Sequence, residues 1–130
     1  MAAERQRISS GSPYEPEIGF SRAIVAGRHV HVSGTAPIPA DGGATARGAY
    51  EQARRCLEIV LAALEQAGAV PEQVVRTRTY LLDADDWREV GRAHGEVFGD
   101  VRPASTMVVV AGLLDPVWLV EIEADAMLDD

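Results

Sequence analysis

The chain has 130 residues, enough for one domain around one core. With 47% apolar and 25% charged residues the composition excludes a disordered segment, and a formal charge of −8 works against any partner held by neutralising phosphates, unless a local basic patch forms. The single cysteine, Cys56, excludes an intrachain disulfide, and no stretch approaches the ~20 apolar residues of a membrane helix.

Residues 1–18 are polar and carry Gly11, Pro13 and Pro16, so a loose N-terminal arm is expected before a domain over 19–130. Arg5 and Arg7 are not followed by the apolar run of a secretory signal, and a cytoplasmic protein is expected. From Ala23 to Ser33 the segment is apolar and β-branched, with Gly27–Arg28 as the turn of a hairpin. Residues 36–48 hold Pro37, Pro39, Asp41, Gly42, Gly43 and Gly48, which is loop chemistry. Between Ala49 and Ala67, the residues Ala53, Cys56, Leu57, Val60, Leu61 and Leu64 recur at helical spacing, and Gly68 is the stop.

Val74 to Leu82 reads as a strand. Asp85 and Asp86 offer caps to a second helix whose stripe is Trp87, Val90, His94, Val97 and Phe98, ending at Gly99. Ser105–Val110 and Val120–Ala126 are the last strands, the latter alternating between apolar and acidic residues. The order ββ–α–β–α–ββ predicts an α+β fold, a single sheet of four to six strands with two helices packed on one face. The Ser105–Val110 strand is apolar on both faces, and two helices cannot cover both, so an oligomer is expected.

Five segments in order resemble the motifs of one family. Gly19–Phe20–Ser21–Arg22–Ala23 is similar to a Gly-Pro-Tyr-Ser-Gln-Ala opening strand, and His31–Val32–Ser33–Gly34–Thr35–Ala36–Pro37 to a Phe-Val-Ser-Gly-Gln-x-Pro segment. Gln52–Ala53–Arg54 resembles the start of the family's first helix, and Val74–Tyr80 its third strand. Val101–Val110 with Leu119–Ala124 resembles its C-terminal signature. On these residues the chain is identified as a member of the Rid (reactive intermediate deaminase, or YjgF) family. The resemblance implies a chorismate-mutase-like fold, a homotrimeric barrel and clefts at the subunit interfaces. In the deaminase branch an arginine grips the carboxylate of an enamine or imine, and a glutamate positions the water that attacks it.

That glutamate corresponds to Glu121, while the arginine's place holds Ser105, with Met107 and Val109 further along the same face. A charged hydrogen bond to a carboxylate is worth roughly 1.5–3 kcal/mol, so its loss costs about ten- to a hundredfold in affinity. A simple α-imino acid is therefore not the expected substrate, and a larger, less charged molecule fits better. Arg102, Arg22 and Arg78 are alternative carboxylate partners, each also readable as a solvated surface arginine, Arg22 and Arg78 more so than Arg102. By the same resemblance Phe20, Ser33, Gly34, Thr35, Ser105, Arg102 and Met107 are candidate substrate-binding residues, and Glu121 the candidate catalytic residue.

His29, His31 and Ser33 share a face, either lining the cleft or forming a polar hairpin face, and His94 on the helix stripe reads as a packed histidine. Glu121 and Glu123 are paired carboxylates whose roles are catalytic or structural at an interface. Three histidines without matching cysteine or HExxH spacing give no metal signal, and no cofactor is expected. Three functions compete. The first is an enzyme acting on an enamine, imine or related reactive intermediate. The second is a non-catalytic metabolite binder or regulator using the same cleft, and the third is an endoribonuclease. The acidic balance weighs against the third. The expected partners are a small-molecule ligand and two further copies of the chain, with no nucleic acid and no membrane.

Overall fold

A computed structural model describes residues 5–129. Residues 1–4 of the expected arm lie outside the described residues. A six-stranded sheet runs in the order β1-β2-β3-β6-β4-β5. Its strands are β1 (Gln6–Ile8), β2 (Ala23–Ala26), β3 (His29–Thr35), β4 (Val74–Leu81), β5 (Ala104–Val109) and β6 (Val120–Met127). Every neighbouring pair is antiparallel except β4 and β5. Those two are parallel because helix α3 (Trp87–Phe98) carries the chain back between them, as a parallel connection requires.

The alternation of β6 follows from its place in the middle of the sheet. Val120, Ile122, Ala124 and Ala126 are all buried beneath helix α2 (Ala49–Gln66), while Glu121, Glu123 and Asp125 point to the other face. The buried stripe of α2, Ala53, Cys56, Leu57, Val60 and Leu64, meets Val30 and Val32 of β3 in the same core, with Val90, Ala93 and Phe98 of α3 beside it. Gln52 is a buried loop anchor. Its amide nitrogen donates to the carbonyls of Ala46 and Val117, and its carbonyl accepts from Leu119 N–H. One side chain thus ties the 36–48 and 110–119 loops to the start of α2.

Three expectations are corrected. The polar segment before residue 19 is not a loose arm where it is described: Gln6–Ile8 pairs with β2 and Tyr14–Ile18 forms the short helix α1. Its polarity misled because β1 is an edge strand that buries only Ile8, and α1 buries only Glu15. A third helix therefore joins the expected two. Asp85 and Asp86 do not cap α3 through their side chains; Asp83 accepts from Asp85 N–H at 2.9 Å, starting a 3-10 turn that leads into the helix. Trp87 lies at the first position of α3 and is exposed, with the Arg88 guanidinium over its ring. β5 is left partly uncovered within one chain, in keeping with two helices being unable to cover both its faces. It forms the sheet edge, with Val108 42% and Val109 54% exposed, because α2 and α3 cover the sheet further in. Among the described residues, no helix is long and apolar enough to cross a membrane.

Candidate functional site

The sheet face opposite the helices carries a connected polar array. Arg78 on β4 pairs with Glu123 and Asp125 on β6, both at 3.2 Å, and Tyr80 donates to Glu123 Oε1 at 3.0 Å. His31 Nδ1 on β3 lies 2.7 Å from Asp125 Oδ1. These contacts follow from register: His31 opposes Asp125, while Arg78 and Tyr80 oppose Glu123 and Glu121. A shallow cavity of about 430 Å³ opens at the β2–β3 side of this face, lined by Phe20, Ser21, His31, Ser33, Glu123 and Asp125 among others.

Glu121 stands one pleat further along β6. The register of β3 against β6 shifts between Val32 and Thr35, a bulge of the kind that re-aims a strand. Gly34 in that bulge lies against the carboxylate: a Cβ there would stand 3.2 Å from Glu121 Oε2. Burial holds the Glu121 carboxyl above its ordinary value; Glu123 adds to the rise, and Arg22 opposes it. Its environment favours the protonated form more than water would.

Arg22 holds the bulge in shape. It is only 7% exposed, and its Nη1 donates to Gly34 O and Thr35 Oγ1, both at 2.8 Å. Thr35 Oγ1 donates in turn to Ser33 O, and Ser33 Oγ donates to Ser21 O, both at 2.7 Å. The guanidinium lies 5.4 Å from the Phe20 ring centroid and its Nε 3.8 Å from Glu15 Oε2. Phe20, Ser33, Gly34, Thr35 and Glu121 are therefore gathered in one neighbourhood around Arg22. The surface reading of Arg22 is overturned. What it grips is the backbone of its own site, a role that a lone Arg after a Phe-Ser pair does not announce.

Ser105 and Met107 lie elsewhere. In the parallel pair they oppose Thr77 and Thr79, whose side chains point to the helix side of the sheet. One chain thus puts Ser105 and Glu121 on opposite faces. Thr77 Oγ1 is hydrogen-bonded to Ser105 Oγ at 2.8 Å and to His94 Nε2 at 2.8 Å. His94 is satisfied as expected, its ring 5.0 Å from that of Phe98. Arg102 sits exposed in the turn before β5, with a left-handed φ of 53°. Arg78 is committed to its two acids, and among the described residues no cluster of His, Cys, Asp and Glu could hold a metal ion.

The family model described as Endoribonuclease L-PSP matches residues 11–128. An uncharacterized protein of Streptomyces coelicolor is 40% identical over 121 residues, covering 93% of this chain and 90% of its own. A RutC family protein of Pyrococcus abyssi is 37% identical over 108 residues, 82% of this chain and 84% of its own. The solved structure of Rv2704 from Mycobacterium tuberculosis, a member of the YjgF/YER057c/UK114 family, superposes with a TM-score of 0.88 at 44% identity, covering 96% of this chain and all of that one.

Proposed function

We propose, from the premise that this chain belongs to the Rid/YjgF family that the endoribonuclease L-PSP model describes, that it binds a small enamine, imine or related reactive intermediate in a cleft between subunits and hydrolyses it. The observation that carries this reading is the Glu121 carboxylate, desolvated and set against Gly34 in a bulge whose shape Arg22 maintains. A base so placed takes a proton from water as the water oxygen bonds to the C=N carbon. The nitrogen then leaves protonated, and a carbonyl compound remains.

The substrate is not a simple α-imino acid. Ser105 offers a neutral hydroxyl in the place of the carboxylate clamp. Arg22 is turned to its own backbone and Arg78 to Glu123 and Asp125. The molecule that suits this arrangement carries a neutral polar group at that end. Phe20, Ser33, Gly34 and Thr35 line one wall of the binding cleft, and Ser105, Met107 and Arg102 of a second subunit the other. That division follows from the opposite faces on which the two sets lie.

The assembly is a homotrimer. Support comes from β5, whose Val108 and Val109 are exposed in one chain though both its faces are apolar. A neighbouring copy covers it.

The reading is tested by generating imino acids with an amino-acid oxidase while semicarbazide traps what survives. The panel also includes neutral imines and enamines. Diversion of a neutral imine by the wild type, lost in Glu121→Gln, is the expected result. Equal activity in wild type and Glu121→Gln would remove Glu121 from the chemistry. Activity of Ser105→Arg on imino acids would show that the cleft is intact and that residue 105 selects the ligand.

A second reading, a non-catalytic metabolite binder, is favoured by the exchange of a charged clamp for Ser105 alone. Ligand binding unaffected by Glu121→Gln, with no turnover of any panel compound, would establish it. The nuclease named in the family's description finds no support in a chain of charge −8.

A further inference from the structure

Ser105, Thr77 and His94 form a continuous chain from the interior to the surface. His94 is half-buried on α3, Thr77 is fully buried on β4, and Ser105 is exposed on the edge strand β5. The two links are both 2.8 Å long. Each hydroxyl is a donor and an acceptor and rotates to suit. As placed, Thr77 Oγ1 donates to Ser105 Oγ; rotation of both hydroxyls lets Ser105 donate to Thr77 while Thr77 donates to Nε2 of a neutral imidazole.

We propose that this chain is a proton relay that makes the Ser105 hydroxyl a nucleophile toward a neutral electrophilic centre, the fitting substrate class being an activated acyl group such as an ester. Nucleophilic serines are weak alone and are activated by a base within hydrogen-bond reach. Here the base acts through one intervening hydroxyl, because β4 lies between β5 and the helix that carries the histidine.

The step balances. Ser105 Oγ bonds to the carbonyl carbon, its proton passes to Thr77 Oγ1, and the Thr77 proton passes to His94 Nε2. The bond from the carbonyl carbon to the leaving oxygen then breaks; the proton passes from His94 Nε2 to Thr77 Oγ1, and the Thr77 proton goes directly to the leaving oxygen, since the acylated Ser105 Oγ has none to relay. Water hydrolyses the acyl-serine and restores the hydroxyl.

The imidazole is suited to receive a proton at neutral pH, since burial pulls its pKa below the ordinary value of 6.5 and leaves it uncharged. Within one chain the relay lies on the opposite face from Glu121, and its base is His94 and not Glu121, so the proposal does not rest on the imine chemistry even where Ser105 faces the same cleft from a second subunit.

A fluorophosphonate probe tests the relay without a known substrate, because attack by Ser105 expels fluoride and leaves a stable phosphonyl-serine. Peptide mass spectrometry on the full chain is expected to place one adduct on Ser105, formed at a rate that rises with pH through a midpoint below 6.5. Thr77→Val and His94→Gln are expected to slow labelling about a hundredfold, the usual reach of a general base. Thr77→Ser, which restores a hydroxyl at the same place, is expected to keep most of it. Circular dichroism checks that each variant is folded. No adduct on the folded wild type, an adduct on a different serine, or equal rates in His94→Gln and wild type would overturn the proposal. Loss of labelling with intact imine diversion, or the reverse, separates this inference from the imine reading.

Discussion

At residue 34 a hydrogen in place of a side chain lets the bulge of β3 meet a carboxylate. Gly34→Ala adds a methyl group 3.2 Å from Glu121 Oε2, closer than such contacts usually come. Because the neighbour is the end of a flexible side chain, the fold accommodates it by moving the carboxylate. Turnover of the accepted substrate is expected to fall about tenfold or more, with little change in melting temperature. A large fall in melting temperature would mean that the backbone, not Glu121, had to move. Glu121→Gln carries a second expectation. Burial raises the folded pKa of this carboxyl, so its charged form costs stability; that cost is absent below the unfolded value, near 4.5, and grows as pH rises through the folded value. The variant is therefore expected to melt above the wild type near neutral pH, by on the order of a few degrees. The difference closes in acid. A variant that melts lower at neutral pH would show that the carboxylate is stabilised by contacts outweighing its burial.

The N-terminal elements act on the site through Arg22. α1 brings Glu15 under the guanidinium, and Ser10 donates to Glu15 through both its hydroxyl and its backbone N–H. Burial works against the Glu15 charge, but hydrogen bonds from Ser10 and Ser9 and the charge of Arg22 outweigh it and hold its pKa below the ordinary value. Its contribution to stability is thus present above about pH 4.5 and lost as pH falls through the lower, folded value. Arg22→Leu removes the donor to Gly34 O and Thr35 Oγ1 and the ion pair with Glu15, which keeps its hydrogen bonds from Ser10, at a cost of about 3 kcal/mol. Chemical denaturation measures that loss, and an unchanged midpoint would show that Arg22 does not hold the bulge. None of this was visible in the N-terminal sequence, whose polar composition hides two buried groups among the described residues 5–18, Ile8 and Glu15.

The whole molecule has two differently finished sides. Helices cover one face of the sheet; the other carries charged pairs, and the β5 edge exposes valines. Val109→Asp places a charge on that edge. In one chain Val109 is 54% exposed, so the fold is expected to persist while a trimer falls apart to monomers, read by sedimentation. A monomeric wild type would remove the interface cleft, and a trimeric Val109→Asp would place the contact elsewhere.

Periodicity was enough for the long elements, because a half-buried strand or helix must repeat its apolar residues at its own spacing. β6 and α2 were legible for that reason, as was the α+β class, and the order of the motifs alone pointed to the family. The neighbourhood of Phe20, Ser33, Gly34, Thr35 and Glu121 was legible only through that resemblance. Burial of Arg22 was not, since a lone arginine has the same spacing whether it faces solvent or a backbone carbonyl. Nor was the separation of Ser105 from Glu121, because the face a strand residue occupies depends on its pairing register, and β5 takes its register from β4 across a helix. The contact between Thr77, His94 and Ser105 joins three elements distant in the chain, so only the packing of α3 against the sheet could bring those groups together.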